Sequence, residues 1–160
     1  MCWPLCISET HCDDQSDKPN LSWSHPWCSA PANIIPRRLM GVQPLSPGYS
    51  HFEVFPQPAN LSWAALSLPT LQGTIQLNLN QTASLINITL VIPLGSTAHV
   101  CLPPPTATSS TIDGVRIAAQ HETLTVDGQK IAGVLDGRML CVPKNLSSGE
   151  HAVARAVRSV

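Results

Sequence analysis

Past residue 48 the hydrophobic pattern of this chain changes period, and the change dictates the kind of layers it can build. Upstream, Ile34, Ile35 and Leu39 recur at helical spacing, whereas downstream Ile75, Leu77 and Leu79 alternate with Thr74, Gln76, Asn78 and Asn80, and Ile86, Ile88, Leu90 and Ile92 alternate again. A two-residue period places every second side chain on one face of a strand, so these runs read as half-buried β-strands. Tyr49, His51 and Glu53 alternating with Phe52 and Val54 read the same way, and Trp63 and Leu66 precede Pro69. Further strands are expected over 98–102, 114–117, 123–126, 139–142 and 151–157. Asp113-Gly114, Asp127-Gly128 and Asp136-Gly137 supply turn chemistry at hairpin spacing. Roughly eight to ten short strands with no intervening helix predict a mainly β chain, an antiparallel, jelly-roll-like sandwich of about 110 residues.

The segment before the strands has another character. Ser29 is placed to cap a short helix running to Met40, with Pro31 in its first turn and Gly41 just past its end. Pro36 interrupts that pattern and predicts a kink, or a helix that begins only there. Two prolines and a glycine between Gln43 and Gly48 mark a linker, and Pro103 to Ser110 a polar crossover loop. Residues 1 to about 28, rich in Cys, Asp, Pro and Trp, read as an irregular loop.

Charge excludes some partners. Nine Lys and Arg stand against ten Asp and Glu, spread singly, and only 12% of residues are charged. No basic stripe exists to neutralise phosphates, so nucleic acid is not expected as a partner. Nor is a membrane, because the most apolar stretch, Leu85 to Leu94, is short and carries Asn87 and Thr89.

Five of the seven asparagines, Asn20, Asn60, Asn80, Asn87 and Asn145, open Asn-x-Ser/Thr acceptor sequences. Chance placement of Ser and Thr gives roughly one, and the excess points to synthesis in the secretory pathway. The six cysteines, Cys2, Cys6, Cys12, Cys28, Cys101 and Cys141, fit the same oxidising compartment as disulfide candidates of open connectivity. The spacing Cys2-x3-Cys6-x4-His11-Cys12 lacks the paired Cys-x2-Cys knuckles of structural zinc sites, and no metal is expected. The chain is therefore read as secreted or lumenal. Its amino terminus has no basic start, sustained apolar run or cleavage site, so the export signal is expected elsewhere and the chain is expected to be a piece of a longer one.

Ser24-His25-Pro26-Trp27-Cys28-Ser29-Ala30-Pro31, the helix from Ile34 to Met40, and Gly41 through Tyr49 follow one another in an order that resembles a known junction. It is similar to the passage from the helical barrel to the C-terminal β-domain of the α-L-rhamnosidases, glycoside hydrolase family seventy-eight. Phe52 through Pro58, Leu61 through Ala64, Leu71 through Ile75, Val91 through Pro93 and Ser96 through Pro103 resemble successive strands of that domain. The resemblance implies a C-terminal stub of the catalytic (α/α)6 barrel over residues 1–45 and the β-sandwich domain over 46–160.

What that family does is invert the anomeric centre while hydrolysing terminal α-L-rhamnosyl bonds, without a cofactor. Inversion needs two carboxyl groups about 6.5–9.5 Å apart, one to protonate the leaving oxygen and one to activate water. By the resemblance, the general acid belongs to sequence upstream of this chain. Glu9 is the positional match for the general base, with Asp13 and Asp14 as rivals, because the aromatic neighbour usual in the family is absent beside Glu9. His25 matches the family's histidine at the edge of the sugar subsite, and Trp23 offers an apolar face to the sugar. Trp27 is expected to pack under the last helix, and Trp63 to anchor the core of the sandwich. His51, His99 and His151 are read as surface histidines.

The expected function is that of a C-terminal fragment of an α-L-rhamnosidase-like hydrolase, inactive alone, whose partners are the catalytic barrel of the parent and its rhamnosylated substrate. The alternative is a non-catalytic secreted glycoprotein module binding carbohydrate or protein through the sandwich. No Gly-x-Ser-x-Gly elbow, P-loop, dinucleotide fingerprint or His-Glu-x-x-His gives other enzyme classes a foothold.

Overall fold

The computed structural model describes residues 30–104 and 122–157. The chain divides into two compact units, 1–35 and 36–160. In the first, the described part is one helical turn, α1 (Ala30–Ile34), in which Ile34 is exposed. A π-helical turn over Ile35–Leu39 follows. The wider i to i+5 spacing accommodates Pro36, which has no N–H to give an ordinary helical bond.

The second unit is a sandwich of two sheets. The smaller has the order β1-β2-β6-β10-β9, built from β1 (Val42–Pro44), β2 (His51–Val54), β6 (Thr97–Leu102), β10 (Met139–Cys141) and β9 (Val134–Asp136). The larger has the order β3-β4-β5-β11-β7-β8, from β3 (Trp63–Thr70), β4 (Gly73–Gln81), β5 (Leu85–Ile92), β11 (Gly149–Val157), β7 (Glu122–Val126) and β8 (Gln129–Ile131). The chain leaves the first sheet after β2, makes the β3-β4-β5 meander in the second, and returns as β6 parallel to β2. Among the described residues every other pairing between strands is antiparallel.

The core is the sum of the alternating runs. Ile75, Leu77 and Leu79 of β4 and Ile86, Ile88, Leu90 and Ile92 of β5 are all buried, and they meet Val42, Phe52, Val54, Ala98, Val100 and Leu102 from the other sheet in one cluster. Each such side chain, taken fully out of water, stabilises the fold by about 1.5–3 kcal/mol. Among the described residues three polar side chains, Gln81, Ser96 and Arg155, are buried and hydrogen-bonded, Oγ of Ser96 donating to the Tyr49 carbonyl at 2.9 Å. Nη1 of Arg155 on β11 donates to the carbonyls of Leu102 (2.7 Å) and Arg138 (3.0 Å), tying the two sheets together. Nε2 of Gln81 donates to the carbonyls of Ala59 and Leu61, which fixes the loop entering β3.

Several expectations give way here. Gln43 and Pro44, read as the start of a linker, belong to the edge strand Val42–Pro44, and Pro44 is tolerated because it sits at the sheet margin. Tyr49 is not in a strand: it closes the 3-10 turn Pro47–Tyr49 with φ 63°. Trp63 is not a core anchor, since it is 68% exposed. Its strand explains why: Ala64, Leu66 and Leu68 face inward, and an odd offset puts Trp63 on the opposite face.

Candidate functional site

Glu9, Asp13, Asp14, Trp23, His25 and Trp27 lie outside the described residues, as do Asn20, Cys2, Cys6, Cys12 and Cys28. The site built from them is not visible in the sandwich. What the sandwich itself offers to a ligand can be taken feature by feature.

The middle of the outer face of the six-stranded sheet is largely polar. Trp63, Asn80, Asn87 and Ala154 are successive Cα partners across β3, β4, β5 and β11, and Ala65, Asn78, Thr89 and Ala152 form the next row. Asn87 and Thr89 stand half-buried on this face while Ile86, Ile88 and Leu90 enter the core. The two-residue period of β5 therefore sorts the chain as its sequence implies. The acceptor asparagines Asn60, Asn80 and Asn145 are exposed.

On the outer side of the five-stranded sheet, Cys101 and Cys141 face each other across β6 and β10 and form a disulfide. Met139 and Phe55 pack with them in a second apolar cluster. Nε2 of His99 lies 3.4 Å from the Cys101 sulfur, and the three side chains bring one nitrogen and two sulfurs within 4.8 Å of one another. Sulfurs joined to each other are not thiolates, so in this state the cluster is not a ligand set for a metal.

Two open troughs mark the surface. The larger, about 670 Å³, is lined by Leu45, Pro47, Tyr49, Pro69 and Leu71 among others and carries no acidic or histidine side chain. The smaller, about 470 Å³, lies between the β7–β8 hairpin and residues 142–146 and holds one carboxyl, Asp127. That carboxyl is committed. Nδ1 of His151 donates to Oδ2 of Asp127 at 2.9 Å, and the Ala152 N–H donates to Oδ1 at 2.8 Å. The His151 bond first, and the Ala152 bond second, hold Asp127 below the ordinary carboxylate range. A group held ionised is a poor proton donor. His151 is thus a structural partner rather than a solitary surface histidine, its Nε2 lying 3.0 Å from the Ser147 carbonyl oxygen.

Glu53 and Glu150 project from opposite outer faces of the sandwich, β2 on one sheet and β11 on the other. With about 10 Å between packed sheets and the side chains directed away from each other, they do not flank one sugar ring. Among the carboxylates whose side chains are described, no pair is arranged as acid and base across either trough.

Against known proteins, residues 41–116, just under half of the chain, match the family described as bacterial alpha-L-rhamnosidase C-terminal domain. The matched segment begins at the residue before β1, runs through β6 and ends at residue 116. The fold is similar to that of α-L-rhamnosidase from Dictyoglumus thermophilum, with TM-score 0.64 and 17% identity over 81% of this chain and 14% of that one. It is similar also to the Streptomyces avermitilis α-L-rhamnosidase complexed with L-rhamnose, with TM-score 0.60 and 17% identity over 84% of this chain and 12% of that one. The native Aspergillus terreus α-L-rhamnosidase gives TM-score 0.53 and 18% identity over 88% of this chain and 12% of that one. A search of curated proteins returned no match. At these identities the structural likeness shows the fold, and the chain spans about an eighth of each of these three enzymes.

Proposed function

Because residues 41–116 match the family described as bacterial alpha-L-rhamnosidase C-terminal domain, we propose that this chain is the accessory sandwich of a larger α-L-rhamnosidase-like hydrolase. In this reading residues 1–45 close the catalytic (α/α)6 barrel, residues 46–160 form the β-domain, and the parent reaction is inverting hydrolysis of terminal α-L-rhamnosides. The carrying observation is that the matched segment contains β1 to β6, the strands that supply most of the buried core.

Among the described residues of the sandwich, Asp127 is pushed toward ionisation and the larger trough is lined without acid groups. In this reading the proton for the leaving group comes from the barrel. Glu9 serves as the base that activates water, while His25 hydrogen-bonds sugar hydroxyls and Trp23 covers an apolar face of the ring. Met40, within the segment this reading assigns to the barrel, is buried in the core of the sandwich. The Cys101–Cys141 disulfide and the exposed acceptor asparagines support manufacture in the secretory pathway, and no described helix is long and apolar enough to cross a membrane.

The test uses the parent polypeptide, this chain joined to its upstream sequence. On an aryl α-L-rhamnoside it should release L-rhamnose first as the inverted anomer by proton NMR, and Glu9→Gln should lower kcat by at least about a hundredfold. Retention of configuration, or full activity in Glu9→Gln, would remove the reading.

A further inference from the structure

The row that begins with Trp63 joins two unrelated facts. Trp63 leaves most of its indole in water, 68% exposed, on a strand whose Leu66 and Leu68 are turned to the core. Asn80, its direct Cα partner on β4, opens the acceptor sequence Asn80-Gln81-Thr82. Direct partners of an antiparallel pair have Cβ atoms about 4.5–5.5 Å apart and project to the same side of the sheet. Whatever extends from the Asn80 amide therefore rises beside the indole.

We infer that Asn80 carries an N-linked glycan whose innermost N-acetylglucosamine lies against the Trp63 ring, so that this sugar, and not another protein, covers the aromatic. The inference rests on the secretory reading given above. The linkage forms by transfer of an oligosaccharide from a lipid diphosphate donor. A bond forms from Nδ2 of Asn80 to the anomeric carbon, the bond from that carbon to the phosphate oxygen breaks, the amide loses one proton, and the lipid diphosphate departs with the electron pair. A β-linked pyranose then presents its axial C–H face sideways, and an indole of electron-rich face is the side chain that such a surface suits. Asn80 is chosen over Asn87 by register. Asn87 has Asn80 on one side and Ala154 on the other, so neither direct neighbour offers it a ring.

Ala65, the next residue on this face of β3, keeps the position beside Trp63 low.

The experiment is to secrete the full 160-residue chain from a eukaryotic host and map each acceptor asparagine by mass spectrometry after enzymatic deglycosylation in heavy-oxygen water. Trp63 oxidation by hydroxyl radicals is then compared in the intact glycoprotein, in a form trimmed to single N-acetylglucosamines, and in Asn80→Gln. Thr82→Ala, which abolishes the acceptor sequence and keeps Asn80, controls for folding. Asn80 should be occupied, and Trp63 should oxidise about threefold more slowly in the first two forms than in either variant, as stacking of one ring requires. Asn145→Gln should leave that rate unchanged. Occupancy at Asn60 or Asn145 with Asn80 bare, or equal Trp63 rates in all forms, overturns this inference alone. No occupancy anywhere removes the secretory reading and the inference together. Protection of Trp63 in Asn80→Gln by added free chitooligosaccharide would instead make the face a binding platform and overturn the covalent assignment.

Discussion

Asp127 shows how much one side chain does at a turn. It sits at φ 50° ahead of Gly128 at φ 79°, the left-handed pair that a tight two-residue hairpin needs, and its carboxylate reaches across to His151 and Ala152 on β11. Because its folded pKa lies below the ordinary 3.8, the folded state binds this proton less readily than the unfolded chain. The stabilisation is therefore complete above the unfolded value and is lost as pH falls through the lowered folded one. Asn also accepts positive φ, so Asp127→Asn removes the charge and keeps the turn. The variant should melt below the parent at pH 7, and the two melting temperatures should converge as pH drops below about 3.8. Gly41 makes the complementary case. Its φ is 68°, and an added Cβ would stand 2.0 Å from the Phe55 carbonyl oxygen, whereas one at Gly128 meets nothing within 4 Å. Gly128→Ala should cost only the left-handed penalty, about 1–2 kcal/mol, and Gly41→Ala should leave little folded protein by circular dichroism.

At the level of elements, legibility tracked length. β4 and β5, nine and eight residues long, repeat their period enough times to be read directly, and each core residue they promised is buried. β1, β8 and β9 have three residues each, too few to show any period, and their pairing is decided by neighbours distant in the sequence. Trp63 was misjudged for a different reason. Its aromatic bulk suggested burial, yet counting three places to Leu66 assigns it to the outer face, so the signal was present in the parity of the strand. The cysteines left their pairing open because Cys101 and Cys141 are separated by 40 residues, and only the sheet order brings them opposite each other. Closing so long a loop restricts the unfolded chain, and Cys101→Ala with Cys141→Ala should lower unfolding stability by about 3–4 kcal/mol in urea titration.

For the molecule as a whole, the sandwich was legible and its trade was not. A β-layer pattern says which faces meet, but a sugar subsite made by loops of a helical barrel leaves no period to detect, and Glu9, Trp23 and His25 stand outside the described residues. The supporting role proposed for the sandwich has a physical reason: cleaving a glycosidic bond with inversion takes a protonated acid and an ionised base held on opposite sides of one sugar, and the described carboxylates offer no such pair. The most direct check is the rate at which the purified, folded 160-residue chain by itself releases the chromophore from p-nitrophenyl α-L-rhamnoside. The account predicts a rate equal to buffer at every pH tried, whereas turnover proportional to the concentration of the chain would contradict it.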